Sequence, residues 1–157
     1  MITPMSFSWL IDGEVAGSGG PRTVEDLSYL QEQGVEALVR MVDDAAARSL
    51  HQTVEETGLL DHYEPVPDFT APSPQQLEGM VTFIRECVSK SIPVGVSCMA
   101  GLGRTGTVLA CYLVEDKGCE AEEAVRRVRQ ARPGSLENEM QVGAVRAYAQ
   151  RLHEGGG

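Results

Sequence analysis

In "VSCMAGLGRTG" (residues 96–106), five residues separate Cys98 from Arg104, and glycines stand at 101, 103 and 106. A cysteine thiolate is a strong nucleophile when nearby donors stabilise it. A guanidinium presents a planar fork that clamps two oxygens of a phosphate. The same stretch also spells G-x-G-x-x-G, which suggests a dinucleotide-binding turn. That motif needs a second strand ending in an acidic residue about twenty positions on. Here Glu120 to Glu123 open a helical pattern instead. A Walker loop is excluded as well, since Gly106 is followed by Thr107 and not by Lys-Ser/Thr.

The Cys–Arg spacing accounts for more of the residues. A strand ending at Cys98, a short Gly-rich loop and a helix starting near Arg104 would curl the backbone N–H groups of Met99, Ala100, Gly101, Leu102, Gly103 and Arg104 around an anion. The positive end of the helix dipole would add to that field. The glycines suit unusual dihedrals and close approach. The same N–H groups would stabilise the thiolate of Cys98 at the base of the loop. Thr105 would donate its hydroxyl to that sulfur when it leaves phosphorus.

Positioning these groups takes a strand–loop–helix unit inside a larger sheet. Stretches rich in β-formers predict strands at 7–11, 37–42, 62–66 and 94–98. Helical patterns cover 23–34, 73–90, 103–118, 120–132 and 136–152. Thr23 is an expected N-cap. Ser73, Pro74 and Gln76 form a capping box with proline at the first helical position. Leu77, Met80, Val81, Ile84 and Val88 share one face of that helix, and Leu136, Met140, Ala144, Val145, Tyr148 and Leu152 share a face of the last one. "GSGGPR" (17–22) reads as a turn, prolines 65, 67, 72 and 74 as shaping a loop, and "EGGG" (154–157) as a frayed tail. Alternating strands and helices predict an α/β fold: a central, mostly parallel sheet flanked by helices on both faces. The strand ending at Cys98 is expected at its centre, because it feeds the most apolar helix.

The 157 residues suffice for one domain, 1–157, with a substantial core. The formal net charge of -10 disfavours general binding to nucleic acid or to anionic membranes. An anionic substrate must then be held by a local positive site. The four cysteines, 87, 98, 111 and 119, contain no C-x-x-C, and the three histidines no H-E-x-x-H, so no metal site is expected. Outside the loop, Cys87, Cys111 and Cys119 read as packing or surface residues. The N-terminus lacks the basic and apolar regions of a secretory leader, and no apolar run is long enough to span a bilayer. The expectation is a soluble, cytoplasmic monomer.

"CMAGLGRTG" resembles the C-x5-R-[ST] signature of cysteine-dependent protein phosphatases, and most closely the C-x-A-G-x-G-R-T-G of their dual-specificity branch. "PVPDFTAPS" (65–73) resembles that family's mobile general-acid loop, and "ARPGSLENEMQ" (131–141) its third conserved block. Order and spacing fit the small atypical dual-specificity phosphatases of the VHZ type, with a protein tyrosine phosphatase-like fold. Low-molecular-weight phosphatases carry their cysteine loop near the N-terminus and do not fit. The resemblance implies a metal-independent, cofactor-free hydrolase. Cys98 attacks phosphorus, Asp68 protonates the leaving oxygen, and Asp68 then activates water against a cysteinyl-phosphate. Arg104 and the loop N–H groups stabilise the equatorial oxygens. Glu137 and Gln141 occupy the block that can position water; the alternatives are a helix-dipole role for Glu137 and a plain exposed position for Gln141.

One residue departs from the family. Members carry His before the nucleophile, and this chain has Ser97. The expected consequence is a looser loop that holds the thiolate less firmly. The five residues between Cys98 and Arg104 are uncharged, which disfavours polyanionic substrates. The implied substrates are protein phosphotyrosine, phosphoserine/threonine more slowly, and small aryl phosphates; phosphate, vanadate or sulfate should occupy the same cradle. Two alternatives remain open: a pseudophosphatase that binds phosphoprotein with little turnover, and a lipid or nucleotide phosphatase. Arg126, Arg127, Arg129 and Arg132 read as a solvated helix face in preference to a partner surface.

Overall fold

Strand periodicity sorts this chain into two cores. The computed structural model describes residues 3–155. Five strands form one sheet: β1 (Ser8–Ile11), β2 (Val15–Gly19), β3 (Ala37–Arg40), β4 (Leu60–Tyr63) and β5 (Val94–Cys98). Their spatial order is β1-β2-β5-β3-β4, with only the β1–β2 pair antiparallel. The strand that ends at Cys98 is therefore central, as expected. Successive side chains of a strand point to opposite faces. On β5, Val94, Val96 and Cys98 join one core with Ala37, Val39 and the helices that follow. The other face packs Ala16 and Leu38 against Leu27, Leu30, Leu50 and Val54.

That second face is covered by α1 (Val24–Glu32), α2 (Ala45–Ser49) and α3 (His51–Glu56). The first is covered by α4 (Pro74–Ser89), α5 (Gly103–Lys117), α6 (Ala121–Ala131) and α7 (Glu139–Gly155). Every residue of α5 from Gly103 to Val114 is buried. Each fully buried Leu or Val there contributes about 1.5–3 kcal/mol, so the helix that carries Arg104 is firmly seated. Gly118, at φ +71, ends α5 in a left-handed cap. The Thr23 hydroxyl caps α1 by accepting from Asp26 N at 3.1 Å. Ser73 and Gln76 form the expected reciprocal box on α4 at 3.1 and 3.0 Å.

Several sequence expectations need correction. "GSG" at 17–19 is not a turn but the buried end of β2, paired with β5 from Val15↔Val94 to Gly19↔Cys98. Its small residues lack strand propensity, but they allow close approach of the loop and of Arg132. Helices α2 and α3 are too short for a legible period. The last helix starts at Glu139, because Leu136 adopts φ +58. That shift exposes Met140 and Leu152 and buries Gln141 and Val142 in their stead. Glu154 and Gly155 belong to α7, while 156 and 157 of the expected tail lie outside the described residues.

Candidate active site

The loop from Cys98 to Arg104 is fixed from below and behind. Cys98 ends β5 with its side chain buried on the α4–α7 face. Gly101 has φ +78, and a Cβ there would lie 2.4 Å from Ser18 C and 2.5 Å from Ser18 O. Only glycine lets the loop touch β2 this closely. A Cβ on Gly103 would lie 2.1 Å from Glu137 Oε1 and 2.7 Å from Gln141 Nε2, so the segment before α7 closes on the loop's far end. The Thr105 hydroxyl donates to Cys98 Sγ at 3.0 Å.

Arg104 is buried and aims its guanidinium at the segment between β4 and α4. Nη1 donates to Val66 O at 2.6 Å, and Nη2 to Asp68 Oδ1 at 3.1 Å. Asp68 itself is about half exposed, so its carboxylate lies at the solvent edge of the site. Phe69 sits at φ +63, a strained value for a large side chain. The chain is held there by Asn138 Nδ2, which donates to Phe69 O at 2.9 Å, and by Gln141 Nε2, which donates to Thr70 O at 3.2 Å. Gln141 Oε1 also accepts from Glu137 N at 2.7 Å. The structure thus brings Cys98, Arg104, Thr105, Asp68, Glu137 and Gln141 around one loop. Gln141 is fully buried, not exposed. Among the described residues, no cluster of three His, Cys, Asp or Glu could hold a metal ion.

This geometry has known relatives. A family model described as "Polymorphic toxin system, DSP-PTPase phosphatase" (Tc-R-P) matches residues 16–118. The chain belongs to the dual-specificity and tyrosine phosphatase family. Protein tyrosine phosphatase PRL-1 of Leishmania major is 30% identical over 159 residues, covering 96% of this chain and 86% of the relative. Tyrosine-protein phosphatase cdc-14 of Caenorhabditis elegans is 29% identical over 143 residues, covering 83% of this chain but only 19% of the relative. The chain thus spans a fifth or less of the first curated relatives it matches. The solved structure of Tk-PTP in its G95A mutant form has a TM-score of 0.87 and 34% identity, covering 94% of this chain and 97% of that one. PTPMT1, solved in complex with PI(5)P, shares the fold at 17% identity and a TM-score of 0.86, covering 96% and 99%.

In this member of the family the residue before the cysteine does not reach the loop. Ser97 is one strand position from Cys98, so its side chain points to the opposite face of the sheet. Its hydroxyl makes one long contact, 3.5 Å to Val39 O. Its cross-strand neighbour Arg40 is buried and forked onto Asp61 at 2.9 and 2.7 Å. Arg40 Nη1 also donates to Ala47 O, and its guanidinium stacks over Tyr63. That charge is thus committed to tying β3, β4 and α2 together.

The residue that sequence reasoning missed is Arg132. It was expected on a solvated helix face and is instead 3% exposed. Pro133 disfavours helical dihedrals at the residue before it, and Arg132 leaves α6 at φ -137, ψ 83. The turn swings its side chain onto Gly17 of β2, where Nη2 donates to Gly101 O at 2.6 Å. Arg129 is also engaged, donating to Ser135 O and Leu136 O, whereas Arg126 and Arg127 lie on the exposed face as expected. The available signal was the Arg-Pro step at a helix end.

Proposed function

We propose that the chain is a single catalytic domain that hydrolyses phosphate monoesters through a cysteinyl-phosphate, with protein phosphotyrosine as main substrate. Phosphoserine/threonine would react more slowly, and small aryl phosphates would also react. The observation that carries this reading is the convergence at Cys98. A buried sulfur with a hydroxyl donor at 3.0 Å lies beneath a glycine loop, and Arg104 of that loop reaches Asp68. Cys98 attacks phosphorus in line as the P–O bond to the leaving group breaks. Asp68 gives its proton to the departing oxygen. Water then attacks the thiophosphate ester, Asp68 takes the water proton, and the S–P electron pair returns to Cys98. The thiolate leaves with the Thr105 hydroxyl bonded to it. Glu137 and Gln141 place that water; Gln141 does so by giving up one of its two present bonds. The loop N–H groups and Arg104 hold the equatorial oxygens.

The same contacts define a resting arrangement. Arg104 grips Asp68 and Val66 O with the atoms that should clamp phosphate. An arriving dianion competes for that fork and frees the acid loop to adjust over the leaving group. The rim suits a substrate that carries a single phosphate group. Loop residues Met99 to Gly103 carry no charge, and Arg22 and Arg48 nearby in sequence to β2 and β3 are already bonded to Asp44 and Asp43. A polyphosphorylated lipid would find few free cations.

The test is hydrolysis of p-nitrophenyl phosphate in EDTA from pH 5 to 8, with phosphotyrosine peptide and phosphoinositide as competing substrates. Cys98→Ser should abolish turnover. Asp68→Asn should lower kcat by about 10²–10⁴. A parent as silent as Cys98→Ser that still binds vanadate would establish a pseudophosphatase. Preference for the phosphoinositide would overturn the substrate class. We further assign a cytoplasmic monomer without metal, nucleic-acid or membrane partners; no described helix is long and apolar enough to cross a membrane.

A further inference from the structure

We propose that Arg132 is the positioning cation of the phosphate loop, acting from beside Gly17 on the same face of the sheet as Cys98, in a chain whose residue 97 gives the loop no support. The inference rests on the reading of Cys98 as the nucleophile. Its basis is a buried charge with no counter-ion of its own. Arg132 Nη1 donates to Ser6 O at 3.0 Å, Ser8 Oγ at 2.6 Å and Gly17 O at 2.8 Å, and Nη2 to Gly101 O at 2.6 Å. All four acceptors are neutral, and Nε is buried without a partner. Neutral acceptors satisfy the hydrogen bonds of Nη1 and Nη2 but not the charge, and burying a guanidinium is costly, so an anion within reach would offset the desolvation. Burial pushes the Arg132 guanidinium below the usual arginine range, and the charge that opposes this is that of Cys98.

The other charged groups around Cys98 have different tasks. Arg104 on α5 is bonded to Asp68 of the acid loop. Glu137, before α7, closes on Gly103 and adds negative charge at the rim. Arg40 on β3 lies on the opposite face and is forked onto Asp61. β2 contributes only Gly17, Ser18 and Gly19 near the loop. Arg132 is therefore the cation placed to serve the loop itself.

Its second effect is directional. In a trans peptide the carbonyl and the following N–H point opposite ways, and the described chain contains no cis peptides. Pinning Gly101 O to Arg132 aims the Leu102 N–H away from Arg132, toward the phosphate side of the loop. Gly17 makes room for this arrangement: a Cβ there would lie 2.6 Å from Arg132 Nε and 2.9 Å from Cζ. Arg132 touches no substrate atom; it acts through the loop and through its charge.

The experiment is alkylation of Cys98 by iodoacetamide from pH 5 to 9, read by mass on the Cys98 peptide. The reagent is neutral and needs no turnover, so the result separates this inference from the proposed activity. The parent is compared with Arg132→Gln, Arg132→Lys and Gly17→Ala. Arg132→Gln should slow alkylation about tenfold at pH 6, the equivalent of one pH unit in thiolate formation, with the gap closing as pH rises. Arg132→Lys, which keeps the charge, should recover most of the rate. Gly17→Ala, which displaces the guanidinium by direct contact while leaving Arg132 itself in place, should reproduce the Gln variant even if the latter folds poorly. Equal rates at pH 6, or a loss of the same size at every pH, would overturn the proposal and leave Arg132 a structural residue. A parent that is alkylated in the expected way yet hydrolyses no phosphate would overturn the proposed function alone.

Discussion

Substituting Gly101 by alanine separates the geometry of the loop from its mere presence. The added Cβ would fall 2.4 Å from Ser18 C, 2.5 Å from Ser18 O and 2.7 Å from Gly19 N. Carbon contacts relax only near 3.5 Å, so something must move by roughly 1 Å. β2 is hydrogen-bonded on both edges, to β1 and β5, and will not yield. The loop moves instead, and alanine at φ +78 adds about 1–2 kcal/mol of left-handed strain. That cost leaves the domain folded. A 1 Å misplacement at a reacting centre, however, costs about 10²-fold in rate. Gly101→Ala should therefore lower kcat/KM for p-nitrophenyl phosphate by about 10², with a shift in melting temperature of only a few degrees. Gly103→Ala is the control. Its Cβ meets the Glu137 carboxylate and the Gln141 amide, which are ends of side chains, and its loss should be the smaller. Retention of kcat/KM within threefold in Gly101→Ala, or a larger loss in Gly103→Ala, would refute the reasoning.

Other perturbations probe the supports. Asp61→Asn removes the carboxylate from the buried Arg40 and should cost about 3–5 kcal/mol in urea unfolding, against little change for exposed pairs such as Arg126–Glu123. Asn138→Ala frees the Phe69 carbonyl and should lower kcat about fivefold, the worth of a ~1 kcal/mol hydrogen bond, with KM nearly unchanged. Asp44 is held below its ordinary value of 3.8 by the Ala47 N–H and then by Arg22. Its folded value lies below its unfolded one, so its contribution to stability is complete above 3.8 and disappears as pH falls through the folded value. Asp44→Asn should remove that part of the acid-induced loss, measured by urea midpoints at pH 2 to 6. Ser97→His should raise kcat/KM at mildly acidic pH; an unchanged profile would show that the loop needs no help from that face.

The parts of the fold that showed in the sequence share a physical cause. α4 carries its own start signal in Ser73, Pro74 and Gln76, and its buried face repeats at helical spacing. β5 and the middle of α5 are buried on all sides and therefore read as β-branched and apolar stretches, as in VLACYLV (108–114). β2 did not show, because its sequence VAGSG has the composition of a turn. Its reason for being a strand lies elsewhere in the chain: β5 pairs with it, the loop lies against Ser18, and Arg132 takes the space beside Gly17. Small residues selected for what approaches them carry no local propensity. α7 was misphased for a related reason. Leu136 is buried but at positive φ, so an apolar residue that seems to begin the helix belongs to the turn before it.

The same distinction divides the candidate site. Cys98, Arg104 and Thr105 are close in sequence, and the motif that joins them is local. Asp68 is reachable by its flanking segment. Arg132 and Asn138 are not, because nothing near them in the chain says what they hold; their partners lie 31 and 69 positions away. Arg132 was assigned to solvent because three of its helical neighbours are arginines and an amphipathic helix exposes its charges. The proline after it reverses that assignment by ending the helix one residue too early for the face to continue. The site therefore has two layers. The motif supplies the groups that can meet phosphorus, while Arg132 and Leu136 N hold the carbonyls of Gly101 and Leu102, β2 packs against Gly101, and Asn138 holds the acid loop. A loss of function by substitution at the second layer would leave the signature intact. In this chain Ser97 points to the opposite face of the sheet and its hydroxyl reaches only Val39 O, so what holds the loop from behind must come from that second layer.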